Sequence, residues 1–124
     1  LPGVSFRTVP AYNLNKKFHP RAKDWVGYAA ELGGSIYYIA GDTDATPEAR
    51  AVRCDVALLP IGDFYTMGPA DALRAVKLIR PRLTVPMHYN TFQAITQDPE
   101  AFAAACKEVG FAAKVLQPGE EMTL

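Results

Sequence analysis

The chain has 124 residues, thirteen basic and thirteen acidic, with 49% hydrophobic and 21% charged residues. That balance excludes a global field for nucleic acid or anionic lipid, and no segment offers the roughly 18 apolar residues of a membrane span. A folded, soluble, single domain (1–124) in the cytoplasm is the expectation, with one modest core, since a chain this long buries roughly two-thirds of its unfolded surface. Cys54 and Cys106 are too few for a disulfide framework and should be reduced and packed.

Leu1-Pro2-Gly3 runs directly into a strand-like segment, which reads as a continuation of something upstream or as a trimmed end. Residues 4–9 alternate bulky and polar side chains, as a half-buried strand does, and Pro10 closes them. Residues 11–24 have no apolar period, and long loops of this kind are usually functional or disordered. The basic residues there, Lys16, Lys17, Arg21 and Lys23, are interrupted by His19-Pro20 and read as a solvated loop rather than a polyanion site.

Residues 25–32 and 35–40 are rich in aromatic and β-branched side chains, and Gly33-Gly34 between them is a two-residue hairpin signal. A short helix is predicted over 47–52 and a buried strand over 55–60. Gly68, Pro69 and Asp71 open a second helix whose Ala72, Leu73, Val76 and Ile79 recur at helical spacing until Pro81. Residues 83–87 form another short strand, and Asp98-Pro99 starts a helix that ends at Gly110. Strands are predicted again over 113–116 and 122–124. The order implies an α/β fold: a mixed β-sheet with helices packed on one face.

Three segments place metal-competent residues at the ends of apolar strands, where α/β sheets present their ligands. They are Gly41-Asp42-Thr43-Asp44, Pro60-Ile61-Gly62-Asp63 and Pro86-Met87-His88-Tyr89-Asn90. A carboxylate at Asp42 can bridge two cations through its two oxygens, or it can simply cap the helix that follows. His88 is equally read as a histidine satisfied by backbone groups, and His19 as a surface residue.

Taken together, Gly41-Asp42-Thr43-Asp44, residues 55–62, Tyr65-Thr66-Met67 and Pro86-Met87-His88-Tyr89 resemble the metallo-β-lactamase-fold hydrolases related to ascorbate 6-phosphate lactonase. Val9-Pro10-Ala11-Tyr12-Asn13 and Phe18-His19-Pro20 are similar to the entry into the C-terminal half of that fold. The resemblance implies half of an αββα sandwich and a site for one or two divalent cations, zinc or manganese. Asp42 would be the bridging ligand and His88 the late histidine, both serving catalysis, with His19 as a further candidate ligand. Asn13, Tyr65, Thr66, Tyr89 and Asn90 would line the cleft for a small-molecule substrate. Asn13 stands where many relatives carry histidine, and Asn90 where many carry glycine. The His-x-His-x-Asp-His cluster of the family's first half does not occur here, because the chain has two histidines.

Two function classes follow. One is a metal-dependent hydrolase acting on a lactone, ester or phosphoester through metal-activated water. The other is a non-catalytic α/β assembly module, since a half sandwich leaves one sheet face bare for a second copy or for the missing N-terminal half. Nucleic acid is disfavoured as a partner by the zero net charge.

Overall fold

The computed structural model describes residues 2–124. Five strands form one sheet in sequence order: β1 (Ser5–Pro10), β2 (Val26–Leu32), β3 (Ser35–Ile39), β4 (Val56–Pro60) and β5 (Leu83–Met87). The first three make an antiparallel meander, while β3, β4 and β5 run parallel. Helices α1 (Pro47–Arg50) and α2 (Pro69–Ile79) cross over between the parallel strands, and α3 (Pro99–Glu108) follows β5. This is the mixed α/β sheet that the sequence predicts.

Local chemistry sets these boundaries. Gly33 and Gly34 both have positive φ, 57° and 81°, the left-handed pair that lets a two-residue hairpin follow the sheet's twist. Pro10 is tolerated because β1 is an edge strand with no further neighbour requiring its N–H. Thr46 caps α1 by accepting from the Ala49 N–H at 3.0 Å, and Asp98 caps α3 by accepting from Ala101 N–H at 3.0 Å. Helix α2 starts on Gly68, where a Cβ would come 2.7 Å from the Asp63 carboxylate, and ends at Arg80 in the left-handed region.

Strand alternation then sorts the side chains. Val9, Ala29, Tyr38, Ala57 and Leu59 point to one face and pack beneath Ala72, Ala75, Val76 and Ile79 of α2 and Phe102 and Cys106 of α3. Both long helices therefore cover the same face. On the opposite face Phe6 is 68% exposed, and Tyr28 and Ile39 are each 42% exposed.

The two terminal strands do not form. Only Ala113 bridges to Thr84, through Thr84 N–H to Ala112 O at 3.0 Å and Lys114 N–H to Thr84 O at 2.9 Å. Along the free edge of β5 the next outward-facing residue is Pro86, which has no N–H to donate, so the ladder ends after one step. Residues 122–124 are irregular and lie beside Tyr37, Leu58 and Val85 on the open face. Both cysteines are free thiols, Cys106 buried and Cys54 partly so. Among the described residues no helix is long and apolar enough to cross a membrane.

Candidate metal centre

The parallel strands β3, β4 and β5 deliver their C-terminal ends to one edge of the sheet, and the loops after them converge there with residues 11–24. Gly41, with φ 69°, turns the chain immediately after β3 and swings Asp42 into this edge. His88 follows the last residue of β5, with its backbone in the left-handed region at φ 57°. His19 has φ 48°. A left-handed non-glycine residue costs on the order of 1–3 kcal/mol, and here two of them place the chain's two imidazoles.

Both imidazoles meet the same carboxylate. His19 Nε2 lies 3.2 Å from Asp42 Oδ2, and His88 Nε2 lies 3.4 Å from Asp42 Oδ1. His19 Nδ1 is 3.0 Å from the carbonyl oxygen of Tyr65. That carbonyl can only accept and lies nearer to Nδ1 than the Asn13 amide nitrogen at 3.4 Å, so the shorter contact favours a proton on Nδ1, and in that tautomer of the neutral ring Nε2 has a lone pair aimed at a carboxylate oxygen. Such an apposition is repulsive unless a proton or a cation lies between the two atoms. Ligand atoms about 2.0–2.1 Å from a tetrahedral zinc stand roughly 3.3 Å apart, close to both observed separations. The residues therefore fit two cation half-sites sharing Asp42, with His19 on one oxygen and His88 on the other. Each would offer a cation two protein donors. Among the described residues no group of three or more His, Cys, Asp or Glu side chains is placed to hold an ion by itself.

The loop that carries His19 is tied down rather than disordered. Tyr12 N–H donates to Thr43 Oγ1 at 3.1 Å, Asp44 N–H to Tyr12 O at 2.9 Å, and Leu14 N–H to Asp44 Oδ2 at 2.7 Å. The Lys16 ammonium reaches Thr66 O at 2.8 Å and Asp44 Oδ1 at 3.5 Å. Further along, Tyr12 OH donates to Glu48 at 2.7 Å, which lowers the carboxyl pKa of Glu48 and raises the phenol pKa of Tyr12. Thr43 and Asp44, adjacent to Asp42, are thus the anchors of the histidine loop. Their place in one short motif with Asp42 was the available signal for this; the partners 30 residues away were not visible in sequence.

The five predicted cleft residues separate on inspection. Asn13 is buried beside His19, donates Nδ2 to Tyr65 O at 2.6 Å, and leaves its Oδ1 buried without a partner. Tyr65 is next to the site, both through that carbonyl and through its half-buried ring. Thr66 is not brought to the cleft: it is fully buried, and its hydroxyl donates to Met67 O at 3.2 Å. Tyr89 packs back against the helix-covered core, where burial, then the Glu100 charge, raises its phenol pKa. Asn90 has φ 59° and spends its side-chain oxygen on the Gln97 N–H at 2.8 Å, fixing the turn after His88. Missed by the sequence reading are Trp25, whose ring meets His19 edge-on at 5.4 Å, and Phe92, 6.0 Å from Tyr65.

Residues 1–89 match the β-lactamase superfamily domain. A UPF0173 metal-dependent hydrolase of Thermus thermophilus is 50% identical over 102 residues, which are 80% of this chain and 46% of that protein. Another, from Thermococcus kodakarensis, is 43% identical over 131 residues, covering 100% of this chain and 57% of its own length. The solved structure of Igni18, a metallo hydrolase from Ignicoccus hospitalis, has a TM-score of 0.81 at 38% identity, over 96% of this chain and 52% of that one. The chain thus spans about half the length of the curated relatives it matches.

Proposed function

The chain belongs to the metallo-β-lactamase superfamily, and from that membership we propose that it supplies half of the active site of a metal-dependent hydrolase. The observation that carries the proposal is the single carboxylate of Asp42 meeting one imidazole Nε2 on each oxygen. Asp42 with His19, and Asp42 with His88, would hold divalent cations, zinc or manganese. Catalytic zinc sites usually have three protein ligands, so the remaining donors come from outside this set. A bound divalent cation would activate water and polarise the scissile carbonyl or phosphoryl oxygen. The chain's own part is orientation: Tyr65 O fixes the His19 tautomer, Asn13 braces that carbonyl, and Asp44 holds the loop. Partners of this kind behind a ligand histidine typically change metal affinity tenfold or more when removed. The substrate class proposed is a small lactone, ester or phosphoester, which the sequence resemblance to lactonase-related hydrolases implies.

The test is metal content after dialysis against zinc or manganese. Bound metal is expected in the unaltered chain and should fall in Asp42→Asn, His19→Ala and His88→Ala, with little change in the circular dichroism spectrum. Equal metal content in all four proteins would sink the reading.

The bare sheet face supports a second reading. Phe6, Tyr28 and Ile39 lie on it, all more than 40% exposed, and an apolar surface of that kind generally marks an interface. In this reading the chain associates through that face, either with a second copy or with a complementary half of a sandwich.

A further inference from the structure

Around the Asp42 site the exposed apolar surface is not scattered. The Phe18 ring meets Tyr65 at 4.7 Å and Phe64 at 5.8 Å, Phe64 meets Tyr65 at 4.7 Å, and Tyr65 meets Phe92 at 6.0 Å. On the other flank of His19 stands Trp25, the chain's single tryptophan, at 5.4 Å. These five rings come from three stretches of the chain, 18–25, 64–65 and 92, and each stretch is bound to the candidate site. Phe18 directly precedes His19, Tyr65 supplies the carbonyl that holds the His19 ring, Phe92 lies four residues after His88, and Trp25 contacts His19 itself.

The rings are not used up by contact with one another. Phe64 is 51% exposed, Phe92 49% and Trp25 50%. The pairs from Phe18 to Tyr65, Phe64 to Tyr65 and Tyr65 to Phe92 are edge-on or T-shaped, with interplanar angles of 60°, 68° and 62°. In such a pair one ring's face is engaged by the other's edge, which leaves the remaining faces free to receive a further ring. Two cations of the neighbourhood have partners: the Lys16 ammonium is held by Thr66 O and Asp44, and Lys17 lies over the Phe18 ring at 5.3 Å.

We infer that this aromatic rim is a platform for an aryl group, and that the lactone, ester or phosphoester taken by the site carries an aromatic ring. The inference rests on the cation-site reading above for the position of the scissile group, and on the rim alone for the aryl preference. A flat ring would stack on Phe64 and Phe92 while its polar substituent faces Asp42, His19 and His88. Pocket rings also discriminate by size: a methyl substituent in the same place touches too little of the rim to gain from it.

Two probes separate the rim from the cations. Phenylphosphonate and methylphosphonate carry the same anionic group and differ in the ring, and binding of each to the zinc-loaded chain is read by titration calorimetry and by Trp25 emission. Phenylphosphonate is expected to bind about tenfold more tightly, the scale of one aromatic stacking contact with its burial. Replacing Phe64→Ser and Phe92→Ser together should bring phenylphosphonate down to the methylphosphonate level. Both side chains are half exposed, so the fold should survive, with circular dichroism and zinc content as controls. Should the double variant unfold, Phe92→Leu, which keeps the apolar bulk and loses the ring, is expected to lose most of the preference. Equal affinity of the two probes in the unaltered chain overturns the platform, as does a preference that persists in the folded variants. If the chain retains no zinc, the cation reading fails by itself. The metal-free comparison of the same two probes then decides the platform: an aryl preference sustains it and its absence overturns it.

Discussion

Both faces of the sheet carry apolar side chains, and yet they are covered to different degrees. Beneath the helices, Tyr38, Ala57 and Leu59 are wholly buried, whereas one residue over along the same strands Ile39 is 42% exposed and Leu58 only partly covered. A strand's period of two sends neighbours to opposite faces, so a one-residue shift in register would exchange the roles of the whole set. The difference puts the core on one face and leaves the other open, while the loops at one sheet edge, belonging to neither, bring Asp42, His19 and His88 together.

The sharpest way to break this division is to cut one side chain on each face. Leu59→Ala, under the helices, is expected to cost about 2–5 kcal/mol in urea unfolding, the range for a buried leucine that leaves a cavity. Ile39→Thr, on the open face, should stay within about 0.5 kcal/mol of the unaltered chain. Similar losses from both would mean that the open face is also a structural core.

A smaller effect tests whether the site edge is mechanically tied to the sheet. Gly62, just after β4, sits so close to β5 that a Cβ would lie 2.5 Å from the His88 carbonyl oxygen and 3.2 Å from Ile95. Gly62→Ala must push that backbone outward, at about 1–3 kcal/mol as for other overpacked positions, and carry His88 away from Asp42. Zinc retention should fall even though no ligand has changed. A variant that loses stability but keeps its zinc would show that the loop after β5 adjusts independently of β4.

What sequence made legible follows the same lines. Hairpin, helix caps and the strand alternation were readable because each depends on residues within a few positions of one another: Gly33-Gly34, Thr46-Pro47, Asp98-Pro99. The pairing of Asp42 with His88 was readable from the family resemblance of their motifs, both set at the ends of apolar strands. The two final strands were misread because Val115, Leu116 and Met122 have the right composition, but the edge they needed presents Pro86. Thr66 was misplaced for a related reason: a motif gives the position of a residue in the chain, while the direction of its side chain depends on the packing beneath Met67. The aromatic rim was invisible because its rings come together only after folding.

The open face itself is tested by association. Tyr28 and Ile39 are paired across β2 and β3, so Tyr28→Ser with Ile39→Ser removes a contiguous apolar patch. The unaltered chain is expected to sediment as a dimer at micromolar concentration and the double variant as a monomer with a nearly unchanged urea midpoint. Two monomers would leave the face to a different partner.

The smallest expected effect lies on the covered side, at Cys54. Burial, reinforced by the neighbouring Asp55 and partly offset by the Tyr38 backbone, Arg53 and Arg7, pushes this thiol from an ordinary 9.0 up to about 11. The folded state therefore favours the protonated thiol more than the unfolded chain does. That contribution is fully present below about pH 9 and is lost as pH rises through about 11. Because Cys54 is partly exposed, solvent screening should keep the loss under about 1 kcal/mol. The buried Tyr38 phenol is pushed up in the same sense and beyond this range, and the Tyr12 and Tyr89 phenols and the Cys106 thiol are raised too, so the alkaline decline has several sources. Urea midpoints measured at pH 8.5 and pH 10.5 should drop in the unaltered chain and drop less in Cys54→Ala. If both proteins decline equally over that interval, the thiol contributes nothing and the whole effect belongs to other groups.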